Sequence, residues 1–124
     1  MSTELQTTTD LRAAFEDIKE LFLQGKALEA FDKYYADTVV MQENEAPATI
    51  GKAENRQREE EFFGKVTELR GIEFKGVAFG DDLVISEWYY DYTHADWGDR
   101  RYHQVSVQRW QNGKVVHERF YYGA

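Results

Sequence analysis

Arg101–Tyr122 reads RYHQVSVQRWQNGKVVHERFYY and contains two runs rich in aromatic and β-branched residues. The runs, Tyr102–Trp110 and Lys114–Tyr122, flank Asn112-Gly113, a dipeptide typical of tight β-hairpin turns. The stretch therefore predicts a long antiparallel hairpin. Since neither of its faces is purely polar, we expect other parts of the chain to cover one face and a partner chain to cover the other.

The second arm of this hairpin divides its side chains between two faces, because successive residues of a strand point in opposite directions. We expect one set to face the interior of the domain, namely Val116, Glu118, Phe120 and Tyr122. The other set mixes apolar, aromatic and basic groups, which suits a contact between two copies of the chain. That outward set is Val115, His117, Arg119 and Tyr121. A homodimer through the sheet face is therefore predicted.

The length and composition indicate a single folded domain. The chain has 124 residues, 42% of them hydrophobic and 15% aromatic, with one proline and no cysteine. Its formal net charge of −8 at pH 7, without a cluster of basic residues, argues against nucleic-acid binding. With no apolar run of about 18 residues and no signal-peptide pattern, we expect a protein without membrane contact that is located in the cytoplasm.

The N-terminal part predicts a helix preceded by a polar segment. Met1–Thr9 lacks apolar periodicity and is expected to be a flexible lead-in to a single domain spanning residues 10–124. Asp10 is a suitable N-cap, and Gly25 a suitable end, for the first helix. The apolar stripe of this helix, expected to be buried, comprises Leu11, Phe15, Ile18 and Phe22.

Two further helices are predicted before the hairpin. Lys26–Tyr35 continues an apolar side at helical spacing, and Gly51–Gly64 has a strongly helix-favouring composition. The third helix contains the charged run ENRQREEE at residues 54–61, which we interpret as a solvent-exposed face.

The remaining segments have strand patterns. Thr38–Glu43 lies between the second and third helices, and Leu69–Phe79, Leu83–His94 and Arg101–Trp110 precede the second arm of the hairpin. This order predicts an α+β domain in which three helices pack against one face of a strongly curved, mainly antiparallel sheet.

Three segments, in this order, resemble the nuclear-transport-factor-2-like (NTF2-like) superfamily, and within it the SnoaL-like polyketide cyclase and ketosteroid-isomerase-like groups. The segments are YYADTVVMQE at 34–43, IGKAENRQ at 50–57 and VSVQRWQNGKVVHERFYY at 105–122. The resemblance covers most of the chain beyond Asp10. It implies a cone-shaped sheet that encloses, with the helices, a pocket for a small organic ligand, and neither it nor the residues call for a cofactor.

The resemblance also implies positions for catalytic groups. In the ketosteroid-isomerase-like group, the general base lies where this chain has Glu43, and one oxyanion donor lies where it has Ser106. A second donor, a tyrosine in that group, corresponds here to Ile18. Since loss of one oxyanion donor typically costs about 10²–10³ in rate, these differences argue against steroid isomerisation.

The remaining pocket residues follow from the resemblance and from strand alternation. We expect Glu43, Glu118 and Ser106 to converge on one cavity as catalytic groups. The ligand-binding walls are predicted to comprise Tyr35, Phe62, Trp88, Gln104, Phe120 and Tyr122.

The two carboxylates leave alternatives open. Glu43 is open to three interpretations, namely a general base, a ligand acceptor or an ordinary strand-end carboxylate. Glu118 is expected to be buried, and a buried carboxylate must be neutral, paired or ligand-bound. Its candidate partners are Gln104, His103 and Arg56.

Metal binding is not expected. The candidate ligands do not have the short fixed spacing of a zinc motif. They are His94, His103, His117, Glu43, Glu87 and Glu118.

Two functions therefore remain open. One is a cofactor-independent cyclase or isomerase that uses a pocket carboxylate as general acid/base. The other is a non-catalytic small-molecule binder or a protein-interaction module. A protein-interaction module predicts a cavity filled by side chains.

Overall fold

The computed structural model describes the backbone of residues 3–123 and the side chains of residues 11–123. These residues form three helices and six strands, in the order two helices, two strands, one helix and four strands. They are α1 (Thr3–Leu23), α2 (Ala27–Tyr34), β1 (Tyr35–Glu43), β2 (Thr49–Ile50), α3 (Lys52–Gly64), β3 (Val66–Phe79), β4 (Leu83–His94), β5 (Gly98–Gln111) and β6 (Lys114–Tyr122).

The strands form one curved, unclosed sheet in the order β2-β1-β6-β5-β4-β3. All neighbours are antiparallel except β1 and β6, which run parallel and pair Met41 with Glu118 and Glu43 with Phe120. The three helices pack on this sheet, so the predicted α+β architecture is confirmed.

The hairpin between β5 and β6 has the predicted turn. Asn112 and Gly113 both have positive φ angles, 53° and 77°, as a two-residue turn of type I′ requires. The pairing then shifts, because Arg109 stands opposite His117 whereas Trp110 stands opposite Val115. Val116 is thus the extra residue of a β-bulge.

Because of this bulge, the predicted division of β6 into two faces is wrong at Val115. Val115, expected on the outward face, is fully buried in the core, since the extra residue reverses the alternation before His117. Beyond the bulge the prediction holds, with Glu118 buried and Tyr121 exposed by 42%.

The helix boundaries also differ from the predicted ones. α1 begins at Thr3, so Asp10 lies inside the helix and does not cap it. The backbone hydrogen bonds of a helix do not require an apolar stripe, so the lack of apolar periodicity did not exclude a helix here. Met1 and Ser2, part of the predicted flexible lead-in, lie outside the described residues. Tyr35, predicted to end the second helix, has extended φ and ψ angles of −94° and 133° and begins β1 by pairing with Val115.

The core lies between α1, α2 and the sheet. The predicted stripe of α1 faces it, with Leu11, Phe15 and Ile18 buried and Phe22 half-buried. The Phe15 ring is 5.8 Å from that of Phe74, measured between centroids. This packing fixes α1 over one part of the sheet and leaves space between the helices and the rest of it.

Candidate functional site

A cavity of about 410 Å³ opens between the helices and the inner face of the sheet. Its apolar walls come from all three helices and from the strands β1 and β3 to β6, and they are rich in aromatic rings. Those rings include Phe22, Phe31, Tyr35, Phe62, Trp88, Tyr90, Tyr92, Tyr102 and Phe120. A cavity of this size with an aromatic lining is typical of binding sites for small organic molecules.

Most of the residues predicted for the site lie in this wall. Those that line the cavity are Tyr35, Glu43, Phe62, Trp88, Gln104, Ser106, Glu118 and Phe120. Tyr122 does not line it. Its ring stacks on the lining residue Tyr102 at 5.1 Å between centroids, and its hydroxyl donates to Glu43 Oε1 at 2.8 Å.

Glu118 lies at the bottom of the cavity, exposed by only 3%. The Tyr35 hydroxyl donates to its Oε1, while Ser106 Oγ and Gln108 Nε2 donate to its Oε2 at 2.6 and 3.0 Å. Burial raises the pKa of the Glu118 carboxyl, and the three hydrogen bonds act in the opposite direction because they stabilise the charged form. Burial, and then the charge of Glu118, raise the pKa of Tyr35 well above its usual value.

The predicted partners of Glu118 were wrong. Arg56 donates to Asp32 at 2.7 Å on the helix surface, and the ring of His103 lies against that of Tyr89 on the outer face of the sheet. Gln104 lines the cavity but has no hydrogen bond to Glu118 among the described side chains. Gln108 takes this place because the bulge sets it directly opposite Glu118.

Glu43 lies at the edge of the cavity and its side chain is 43% exposed. Besides the hydroxyl of Tyr122, it has Arg58 Nη2 at 3.3 Å from its Oε2. Burial, followed by the hydrogen bond to Glu43, raises the pKa of Tyr122 to about 12. Glu43 therefore has protein partners on both carboxyl oxygens and remains in contact with solvent.

A third carboxylate, Glu59, was missed by the sequence analysis. It lies in the run interpreted as a solvent-exposed face, yet it is half-buried and lines the cavity. Its place on α3 is four residues after the buried Asn55 and three before Phe62, which is the spacing of one helix face. That spacing is the signal in the sequence that could have identified it.

The surroundings of Glu59 favour its neutral form. Burial is the main cause that raises its pKa to about 7, followed by the negative charges of Glu118 and then Glu43. The positive charge of Arg58 acts in the opposite direction. The cavity thus contains one carboxyl group that is partly protonated near neutral pH.

The turn between β4 and β5 also contributes to the cavity wall, through Trp97. Trp97 is 58% exposed, but its inner side stacks on His94 at 3.8 Å between ring centroids. The backbone N–H of Asp96 donates to Nδ1 of His94, which fixes the orientation of the imidazole ring.

A family model for the SnoaL-like domain matches residues 11–118. The chain belongs to the SnoaL-like family. This match confirms the resemblance to the NTF2-like superfamily, and it covers every residue of the cavity named above except Phe120 and the adjoining Tyr122. A search of curated proteins found no match.

Solved structures agree with the SnoaL-like fold. A candidate SnoaL-like polyketide cyclase from Mesorhizobium loti is 28% identical, with 90% of this chain and 98% of that chain covered and a TM-score of 0.82. An LEH-like epoxide hydrolase from M. tuberculosis is 16% identical over 94% and 84% of the two chains, with a TM-score of 0.75. A candidate isomerase from Bacillus subtilis is 18% identical over 98% and 90%, with a TM-score of 0.73. The two less similar structures support the fold alone.

Among the side chains of residues 11–123, no group of three or more His, Asp or Glu is placed to hold a metal ion. None of the helices described in residues 3–123 could span a membrane.

Proposed function

We propose that the protein binds a small, largely apolar organic molecule in its cavity and isomerises or cyclises it without a cofactor, using a cavity carboxylate as general acid/base. The observation that carries this proposal is the open cavity of about 410 Å³, whose lining combines aromatic rings with carboxylates, among them Glu43, Glu59 and Glu118. A protein-interaction module would have no need to keep such a space unfilled.

The carboxylates suit proton transfer because the cavity withdraws them from water. A carboxyl group in an apolar wall binds a proton more tightly than it does in water, and so becomes a stronger base at neutral pH. Glu118 is held at the bottom of the cavity and Glu43 at its edge. Ser106 acts through Glu118, to which its hydroxyl donates.

Binding can be tested with N-phenylnaphthylamine, a neutral aromatic probe whose fluorescence rises in apolar surroundings. We expect the wild-type protein to bind it and Gln104→Trp to lose binding, because the indole would fill space beside Trp88. The control is Glu87→Trp, which places the same side chain on the outer face of the neighbouring strand. Equal binding by both variants would show that the probe, and hence the ligand, does not occupy the cavity.

Proton transfer can be tested with nitrobenzisoxazole, a neutral bicyclic compound. A base removes its ring C–H proton, the C–H electrons form a nitrile and the N–O bond breaks to release a coloured phenolate. A cavity carboxylate should accelerate this elimination by about 10²-fold or more over free acetate. A wild-type rate no higher than that of acetate at any pH would refute the acid/base part of the proposal.

We also propose that the outer face of the β5–β6 hairpin pairs with its copy in a two-fold dimer. Tyr121 is 42% exposed there, and Nδ1 of His117 is buried without a hydrogen-bond partner among the described residues. Sedimentation should therefore give a dimer at micromolar concentration, and Tyr121→Glu should give a monomer because it buries a charge in the contact. Ile50→Glu, at an exposed apolar position on β2, should remain a dimer. A monomeric wild-type protein would contradict the proposal.

A further inference from the structure

We infer that Glu59, on α3, is the carboxylate that exchanges a proton with the ligand, and that Glu118 tunes it. This inference rests on the proposed function and names the reacting group within it. It assigns the proton transfer to a residue that neither the sequence pattern nor the resemblance to ketosteroid isomerases indicated.

The first argument is the availability of oxygen atoms. Both oxygens of Glu118 accept hydrogen bonds from the protein, and both oxygens of Glu43 have partners in Tyr122 and Arg58. Glu59 accepts no hydrogen bond from any described side chain, although it lines the cavity. A general base needs a lone pair directed at the proton that it removes, and among the three carboxylates Glu59 has the least occupied oxygens.

The second argument is that Glu59 sits on a fixed support. The side chain of Asn55, one turn earlier on α3, is 2% exposed and donates to the backbone oxygens of Val39, Thr49 and Gly51 at 3.3, 3.0 and 2.8 Å. These contacts attach the first turn of α3 to the sheet. A catalytic group on a fixed helix keeps its position when the ligand enters.

The third argument concerns charge. The charged groups that act on Glu59 are Glu118 from β6, Glu43 from β1 and Arg58 from α3 itself. In addition to burial and the charge of Glu118, the negative charge of Glu59 in turn contributes to raising the pKa of the Tyr35 and Tyr90 hydroxyls. Burial, followed by the negative charges of Glu118 and Glu43, raises the pKa of Glu59 to about 7, against the opposing positive charge of Arg58. A base with this proton affinity is present in both protonation states near neutral pH, so it can take up a proton and return it.

Hydrogen-bond donors for the other half of the reaction lie on the sheet. Tyr90 on β4 and Gln104 on β5 line the cavity, and neither side chain has a hydrogen-bond partner among the described residues. Burial and the charges of Glu118 and Glu59 raise the pKa of Tyr90, which therefore stays protonated and able to donate. Both groups can donate to a ligand carbonyl oxygen as negative charge develops on it.

The proton-transfer step then balances without any further reagent. Glu59 takes a proton from the carbon next to the carbonyl, and the C–H electron pair forms the double bond of an enolate whose oxygen accepts hydrogen bonds from Tyr90 and Gln104. Return of the proton to a different carbon completes an isomerisation. In a cyclisation the same carbon instead forms a C–C bond to a second carbonyl, whose oxygen receives the proton from Glu59.

The test measures nitrobenzisoxazole elimination by wild-type protein and single variants. We expect Glu59→Gln to lower the rate by about 10²-fold or more, and Glu59→Asp to recover part of it. Glu54→Gln, which removes a carboxylate from the exposed side of the same helix, should leave the rate unchanged. The wild-type rate should rise with pH around a midpoint of about 7, the pKa of Glu59.

The role of Glu118 has its own readout. Glu118→Gln removes a negative charge near Glu59, so the midpoint of the rate profile should move to lower pH while the elimination continues. A merely structural role of Glu118 would change the rate without moving the midpoint, and that result would overturn its assignment as the tuning residue.

Two results would overturn the inference about Glu59 itself. One is a Glu59→Gln rate within about twofold of an active wild-type protein, which would leave the proposed function standing. The other comes from carboxyl-resolved NMR without any ligand, in which the signal missing from Glu59→Gln titrates in the ordinary glutamate range near 4.3. An inactive wild-type protein would instead refute the proposed acid/base function.

Discussion

Replacing Phe15 with alanine is expected to lower the free energy of unfolding by about 3–5 kcal/mol. Phe15 is 1% exposed, and its ring lies between those of Phe74 and Phe79 at centroid distances of 5.8 and 6.0 Å. The variant loses the transfer free energy of the ring and leaves a void between α1 and β3, which the surrounding side chains fill only in part. Urea denaturation followed by far-UV circular dichroism measures the loss.

A control on the same helix separates packing from helix propensity. Leu23→Ala changes a side chain that is 46% exposed at the end of α1, so its effect should stay within about 0.5 kcal/mol. A loss below about 1 kcal/mol for Phe15→Ala would mean that α1 does not cover the core in solution.

Replacing Glu59 with glutamine is expected to stabilise the protein at about pH 8 by up to about 3 kcal/mol, and hardly at all at about pH 4. The pKa of Glu59 is raised from 4.5 to about 7 by folding. Between these values the folded protein binds more protons than the unfolded chain, so the free energy of unfolding falls as the pH rises. Above about pH 7 the buried carboxylate is charged and lowers the free energy of unfolding by the full amount. Glutamine is neutral and does not lower it.

Thermal or urea unfolding at both pH values measures this effect. Glu54→Gln, on the exposed side of α3, should show no such difference between the two pH values. An equal effect of Glu59→Gln at high and low pH would indicate that the carboxyl group titrates normally in the folded protein. The measurement uses no ligand, so its outcome is independent of the identity of the substrate.

Much of the fold follows from local patterns in the sequence. Helical spacing of apolar residues identified α1, alternation and β-branched residues identified the long strands, and Asn112-Gly113 located the last turn. These features were predictable because each depends on residues close together in the chain. The start of α1 was not predictable, because its first turns carry no apolar stripe.

The site was less predictable because it depends on one bulge. With regular pairing across the Asn112-Gly113 turn, Gln108 would stand opposite His117, and Glu118 would lack this neighbour. The extra residue, Val116, moves Gln108 opposite Glu118 and also brings Ser106 opposite Phe120. No local pattern marks a bulge of this kind, so the partners of Glu118 could not be derived from alternation.

Glu59 was missed for a different reason. A run such as ENRQREEE has the composition of a solvated helix face, and most of it is one, because Glu54, Gln57 and Glu60 are exposed. Composition cannot show that α3 borders a cavity. It also cannot show that one face of this charged helix is directed toward that cavity. The spacing of Asn55, Glu59 and Phe62 places them on one face of α3, and their tertiary positions show that this face is directed toward the cavity.

The parallel pairing of β1 with β6 determines when the cavity can form during synthesis. Tyr35 and Glu118 are 83 positions apart, and they meet only through this pairing of an early strand with the last one. While β6 is still within the ribosome, the emerging chain has its helices but lacks Glu118 at the bottom of the cavity, and β1 lacks its pairing with β6. Closure over so long a loop is slow. The binding site is therefore expected to be among the last parts of this domain to assemble, once β6 has left the ribosome.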